Sequence, residues 1–289
     1  MKILELQELN EQQIKDIRKL EGICKEYDGI KGDVFLSNEL NFNKEIKCYF
    51  LSYEGETLIS FIYMFMPTLQ EAEVSAYTLP DERQKGYFKL LLEKAVEELN
   101  NYGVRKILFV HEPKSKNAKC VLKRLDVKYD FSEYLLVYDS TNSLECNSKL
   151  KLVPVQKENV NEIAALHVDI FNKSLEIGQS MVNRALDSED RIPYMAKLNN
   201  EIIGIGSISL ENKDGFICGL GISSKHQGKG YGKEILNLLI EKMLTMDIND
   251  ILLEVDSENH IAYNLYTKSG FKIKTQFDYY RYLLKKGGD

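Results

Sequence analysis

Two tandem α/β domains are predicted for this chain, on three observations. The order strand, helix, three strands, helix, strand occurs twice along the 289 residues. Two glycine-centred helix starts, at Gly86 and Gly230, stand half a chain apart. Between the copies, the stretch 140–149 (STNSLECNSK) is polar and aperiodic, as a linker is. The expected division is therefore 1–139, a linker at 140–149, and 150–289. A chain of this length suits two domains of ordinary size, and its 44% hydrophobic residues supply a core for each.

The first copy opens with a short strand, Lys2–Gln7, and a long polar helix over Asn10–Tyr27. Strands follow at Ile46–Tyr53, Thr57–Phe65 and Glu73–Leu79. The apolar run Leu58–Met66 (LISFIYMFM) is too short to cross a bilayer as a helix and reads as a strand buried on both faces. After Gly86, Phe88, Leu91, Leu92, Ala95 and Leu99 recur at helical spacing and make one apolar stripe. Gly103 is the expected stop, and Lys106–Val110 the next strand.

The second copy begins with a strand at Leu150–Val155 and a helix at Val160–Phe171. A further helix is expected at Met181–Leu186. Strands follow at Tyr194–Leu198, Glu201–Leu210 and Gly215–Ile222. The helix Tyr231–Met246 puts Leu236, Leu239, Ile240 and Met243 on one face, and Ile251–Val255 is a strand. Asn259 is suited to cap a last helix and Gly270 to end it, with Ile261, Ala262, Leu265 and Tyr266 expected inward.

Composition excludes several function classes. The net charge is -6, and Lys and Arg are dispersed, so no nucleic acid is expected as a partner. The five cysteines are an odd number, widely spaced, with no C-x-x-C pair, which argues against disulfides and zinc knuckles. The four histidines form no recognisable ligand set, so no metal is expected. With no export signal or membrane span visible, a cytoplasmic protein, monomeric or homodimeric, is the expectation.

The segment Cys218–Gly232 (CGLGISSKHQGKGYG) carries the chemistry. Three alternating glycines, Gly228, Gly230 and Gly232, leave backbone N–H groups uncovered where a helix begins. The first N–H groups of a helix lack partners within it, and its dipole is positive there, so an anion is favoured. The spacing fits neither the phosphate loop G-x-x-x-x-G-K-[ST] nor the dinucleotide fingerprint G-x-G-x-x-G.

Gln227-Gly228-Lys229-Gly230-Tyr231-Gly232 resembles the [RQ]-x-x-G-x-[GA] loop of the GNAT acetyltransferase superfamily, after an L-x-I strand end at Leu220 and Ile222. Asn259, Ala262, Leu265, Tyr266, Gly270 and Phe271 resemble its second motif, N-x-x-A-x-x-L-Y-x-x-x-G-F. The resemblance implies a mixed, mostly antiparallel sheet flanked by helices in each domain, with two strands splayed to admit acetyl-CoA. It implies that Gln227–Gly232 hold the pyrophosphate, that Leu220 and Ile222 meet the pantetheine arm, and that Asn259 hydrogen-bonds that arm. It places Tyr266 facing the sulfur. The tandem architecture is distantly similar to that of mycothiol synthase, but no residue here fixes that substrate.

Amine attack on a thioester expels a thiolate, which a phenol with a pKa near ~10 can protect. The attacking amine must lose a proton. Glu254, twelve positions before Tyr266, is the candidate base; the same spacing occurs in a bacterial enzyme that acetylates a ribosomal protein's amino terminus. The alternatives are a bound water as base and a surface role for Glu254. His226 and Lys229 adjoin the loop, and Cys218 reads as an inert core thiol.

In the first copy Arg83-Gln84-Lys85-Gly86-Tyr87-Phe88 keeps one glycine of three, and Arg124 stands where the tyrosine is expected. That copy is expected to retain the fold without catalysis. The resemblance thus implies an acetyl-CoA-dependent N-acetyltransferase acting on an amine-bearing small molecule or peptide. The alternative is an acyl-CoA sensor or pseudoenzyme scaffold without turnover.

Overall fold

The structure is a computed structural model that describes residues 1–140, 148–211, 214–248 and 250–284. Most of the expected linker 140–149 lies outside the described residues. The chain divides into two compact units, Met1–Glu133 with Thr275–Asp289, and Tyr134–Lys274. The return of the last strand to unit 1 is a feature that the linear reading does not contain.

Unit 1 holds β1 (Lys2–Leu6), α1 (Glu11–Asp28), β2 (Tyr49–Glu54), β3 (Thr57–Phe65) and β4 (Ala72–Thr78). Then come α2 (Tyr87–Asn101), β5 (Lys106–His111), α3 (Lys116–Arg124) and the start of β6 (Lys128–Tyr138). Asn10 starts α1 with a capping box shared with Gln13, and Gly29, at φ 69°, ends it. Leu58 to Met64 are all buried in β3, as its unbroken apolar run predicts. The strand order is β1-β2-β3-β4-β5-β12, where β12 (Phe271–Leu283) is the last strand of the chain. All pairings are antiparallel except β4 with β5. A parallel neighbour needs a crossover, and α2 provides it.

Unit 2 repeats the plan with β7 (Leu150–Pro154), α4 (Val160–Phe171), α5 (Leu175–Asp187), β8 (Arg191–Leu198) and β9 (Glu201–Glu211). It continues through β10 (Asp214–Ile222), α6 (Tyr231–Leu244), β11 (Asp250–Asp256) and α7 (His260–Lys268). The order is β7-β8-β9-β10-β11-β6, again antiparallel except for β10 with β11 where register is defined. α6 buries Ile235, Leu236, Leu239, Ile240 and Met243 completely, each contributing ~1.5–3 kcal/mol of apolar transfer.

Two expectations need correction. α5 begins at Leu175, not Met181, because Ser174 caps it by accepting from the Ile177 N–H; Leu175 is exposed and gives no apolar signal. Ile261 does not face inward but is 88% exposed. It precedes Tyr266 by five residues, ~140° around a 3.6-residue helix, so the two cannot share a face.

Candidate active site

The pairing of β10 with β11 runs from Asp214–Asp250 to Ile217–Leu253 and ends there, although both strands continue. At that point β10 shifts register against β9, between Cys218 and Gly221, with Gly219 in the left-handed region at φ 60°. Such a bulge bends the strand and re-aims its backbone. Leu220 lies within the bulge and Ile222 beyond it, both past the end of the β10–β11 pairing. A Cβ on Gly221 would stand 2.3 Å from the Ile170 Cγ2, so glycine is what lets α4 close on the strand end. Asp169 fastens the same junction, accepting from the Ser224 N–H and hydroxyl at 2.8 and 2.7 Å.

β10 leads through Ser223–His226 into the glycine loop. Gly228 and Gly230 adopt φ 73° and 86°, conformations that L side chains rarely take, and Gly230 caps α6. Among the described residues, no backbone carbonyl accepts from the N–H groups of Gly228, Lys229, Gly230, Tyr231 or Gly232. Open N–H groups at the positive end of α6 make an anion-binding surface. Gln227 braces the loop, donating from its Nε2 to the Ile222 carbonyl at 3.1 Å, and Lys229 Nζ donates to the Lys225 carbonyl at 3.0 Å.

On the far side of the gap, Asn259 caps α7, its Oδ1 accepting from the Ala262 N–H at 3.1 Å. Tyr266 is 8% exposed, and its hydroxyl makes no hydrogen bond among the described residues. Burial, then the nearby Cys218 thiol, raises its pKa to about 12. The phenol therefore stays protonated across the physiological range. Glu254 is exposed on β11, between the buried Leu253 and Val255.

Strand alternation assigns the faces. Ile217, Leu253 and Val255 pack into the core that includes α6 residues, so Cys218 and Glu254 belong to the opposite face. Arg191 shares that face with Met195, which packs with Ile163 of α4 and Val182 of α5. The Arg191 Nε is buried without a hydrogen-bond partner, and the side chain makes no ion pair among the described residues. His167 has its pKa lowered, first by burial and then by Arg191. Burial raises the half-buried Cys218 thiol, with Arg191 opposing and Glu254 reinforcing the shift. The sequence gives no single role to Arg191 or His167. No motif marks them, and the strand register alone brings Arg191 to this face.

Unit 1 holds the corresponding loop in the same backbone conformation, with Gln84 at φ 67° and Gly86 at φ 93°. Its surroundings differ. Arg83 donates from both terminal nitrogens to Asp28, at 3.0 and 2.8 Å, and from Nε to the Thr78 carbonyl. Phe88 packs toward Phe109, while a Cβ on Gly232 would meet the Leu265 Cδ2 at 3.4 Å. β3 and β4 pair from Ser60–Thr78 to Phe65–Glu73 without a bulge. Beyond β5, Glu112 accepts from the Lys31 and Gly32 N–H groups and from the Thr275 hydroxyl. A cavity of about 570 Å³ beside the loop is lined in part by Glu54, Asp81 and Glu82, charges that repel an anion.

Residues 14–125 and 160–271 each match the model of the Acetyltransferase (GNAT) family. The chain belongs to that family. It consists of two tandem GNAT domains and is an acyltransferase by that membership. The crystal structure of a GCN5-related N-acetyltransferase from Sphaerobacter thermophilus matches with a TM-score of 0.74 at 15% identity, covering 95% of this chain and 93% of that one. A tandem GNAT protein from the clavulanic acid biosynthesis pathway also gives 0.74, at 11% identity over 99% of each chain. At such identities the likeness is one of fold. N-alpha-acetyltransferase 30 of Saccharomyces cerevisiae is 37% identical over 67 residues, 23% of this chain. The matched region spans 38% of that relative's length. No helix among the described residues is long and apolar enough to cross a membrane. Nor do three or more His, Cys, Asp or Glu among them cluster as metal ligands.

Proposed function

We propose that the second GNAT domain transfers an acetyl group from acetyl-CoA to a primary amine, and that the first domain lacks catalysis. The observation that carries this reading is the strand gap beyond Ile217–Leu253, which opens beside five N–H groups, in the glycine loop and at the start of α6, that have no backbone partner among the described residues. A pyrophosphate fits there. The left-handed glycines expose the N–H row, and Lys229 adds positive charge. Gln227 braces the loop, Tyr231 flanks it, and the backbone at Leu220 and Ile222 would meet the pantetheine arm. The Asn259 side-chain amide would hold the same arm, since its cap uses only Oδ1.

The cofactor supplies the acyl group as a thioester. The chain orients the amine, removes its proton and protects the leaving sulfur. As the new N–C bond forms the C–S bond breaks; Glu254, or a water beside it, takes the amine proton. Tyr266, held protonated by burial, hydrogen-bonds the sulfur. The similarity to N-alpha-acetyltransferase 30 favours an α-amino group as acceptor. In unit 1 the engaged Arg83, the Phe88 side chain, the unbroken β4 register and Arg124 in place of tyrosine all speak against turnover.

Calorimetric titration with acetyl-CoA, followed by thiol release with a panel of α-amines, tests this directly. The expected result is one site per chain, lost on changing Gly230 to Ala, with amine-dependent thiol release. Binding without release for any amine favours the sensor reading. Two sites per chain overturn the assignment of the first domain.

A further inference from the structure

We propose that the acceptor carries a carboxylate as well as its amine, and that Arg191 binds that carboxylate. The inference rests on the transferase reading and extends it to the substrate class. Arg191 opens β8 opposite Ser209 of β9, and Ser209 stands opposite Phe216 of β10. Phe216 faces Leu252 of β11, two residues before Glu254. One sheet face thus carries a guanidinium at β8 and a carboxylate at β11, three strand spacings away, on the order of 14 Å between backbones. A span of that order suits an acceptor of amino-acid or dipeptide size reaching from one side chain to the other.

Arg191 is the guanidinium that strand register brings to this face. Its Nε is fully buried, and it makes no ion pair or side-chain hydrogen bond among the described residues. With its Nε shut off from water, the guanidinium has its terminal N–H groups left to offer an anion. Cys218 on β10 and His167 on α4 lie near enough to Arg191 for its charge to act on both. The exposed Glu254 is suited to the opposite end of the acceptor, where an ammonium must lose its proton. A planar carboxylate matches the guanidinium fork with two parallel hydrogen bonds.

The test uses dipeptides and their C-terminal amides, whose amino groups titrate alike, with acetyl-CoA and thiol release as readout. The free acids should exceed their amides in kcat/KM by roughly 10- to 100-fold, as for a hydrogen-bonded charge pair. In R191Q the acids should fall to the rate of the amides, and R191K should keep part of the difference. Melting curves establish that each variant is folded, and acetyl-CoA titration that the cofactor site is intact. Equal rates for acids and amides in the natural chain overturn this proposal and leave the transferase reading standing. So does an equal loss on both in R191Q. No release from any amine overturns the transferase reading, and this proposal with it.

Discussion

Tyr266 and Glu254 divide the proposed chemistry by environment. Burial favours the neutral phenol, and exposure keeps the carboxylate hydrated. Glu254→Gln is expected to lower kcat on the order of 10²-fold or more, with acetyl-CoA affinity unchanged by calorimetry. Unaltered turnover would remove Glu254 from the reaction. Tyr266→Phe should also lower kcat and leave the acidic limb of the pH profile in place, because that limb belongs to the amine and its base. In the natural chain the phenol should sustain activity well above pH 9, since its pKa lies at about 12. The stability it contributes is present below the unfolded value of ~10 and lost as pH rises through about 12. A denaturation series between those values reads it.

Single glycines decide two junctions between elements. Gly230 permits the turn into α6, and Gly221 permits α4 to reach the end of β10. The first is a requirement of conformation, with open space around it; the second is a requirement of space. Gly221→Ala should therefore force Ile170 aside at a cost of ~1–3 kcal/mol, read as a lowered urea midpoint. Because Asp169 of α4 fastens Ser224, the same change should weaken acetyl-CoA binding through the loop that follows. An unchanged midpoint and affinity would mean that α4 yields freely.

For the whole molecule, the last strand is the decisive element. Residues Asp278 to Leu283 of β12 pair with His111 to Lys106 of β5 inside unit 1. Arg281 ties this strand to Glu71 and Asp130, and Ser132 donates to Asp278 at 2.7 Å. A chain ended after Lys274 should lose the cooperative unfolding of unit 1, since β5 becomes an uncovered edge beside an emptied core face. Heat-capacity scans of the shortened chain would show it; an intact unit 1 transition would mean that β5 needs no cover.

The tandem plan, most elements and the glycine loop are legible in the sequence, because these rest on local signals. Apolar periodicity, caps and alternating glycines act within a few residues. The sequence also placed Asn259 and Tyr266 seven residues apart across one short helix. It did not show Arg191 and His167 near Cys218, nor the exposed side of Ile261. It held no sign that the final strand pairs with β5. Those facts depend on strand register and on which sheet edge remains open, and both are settled only when distant segments pack together.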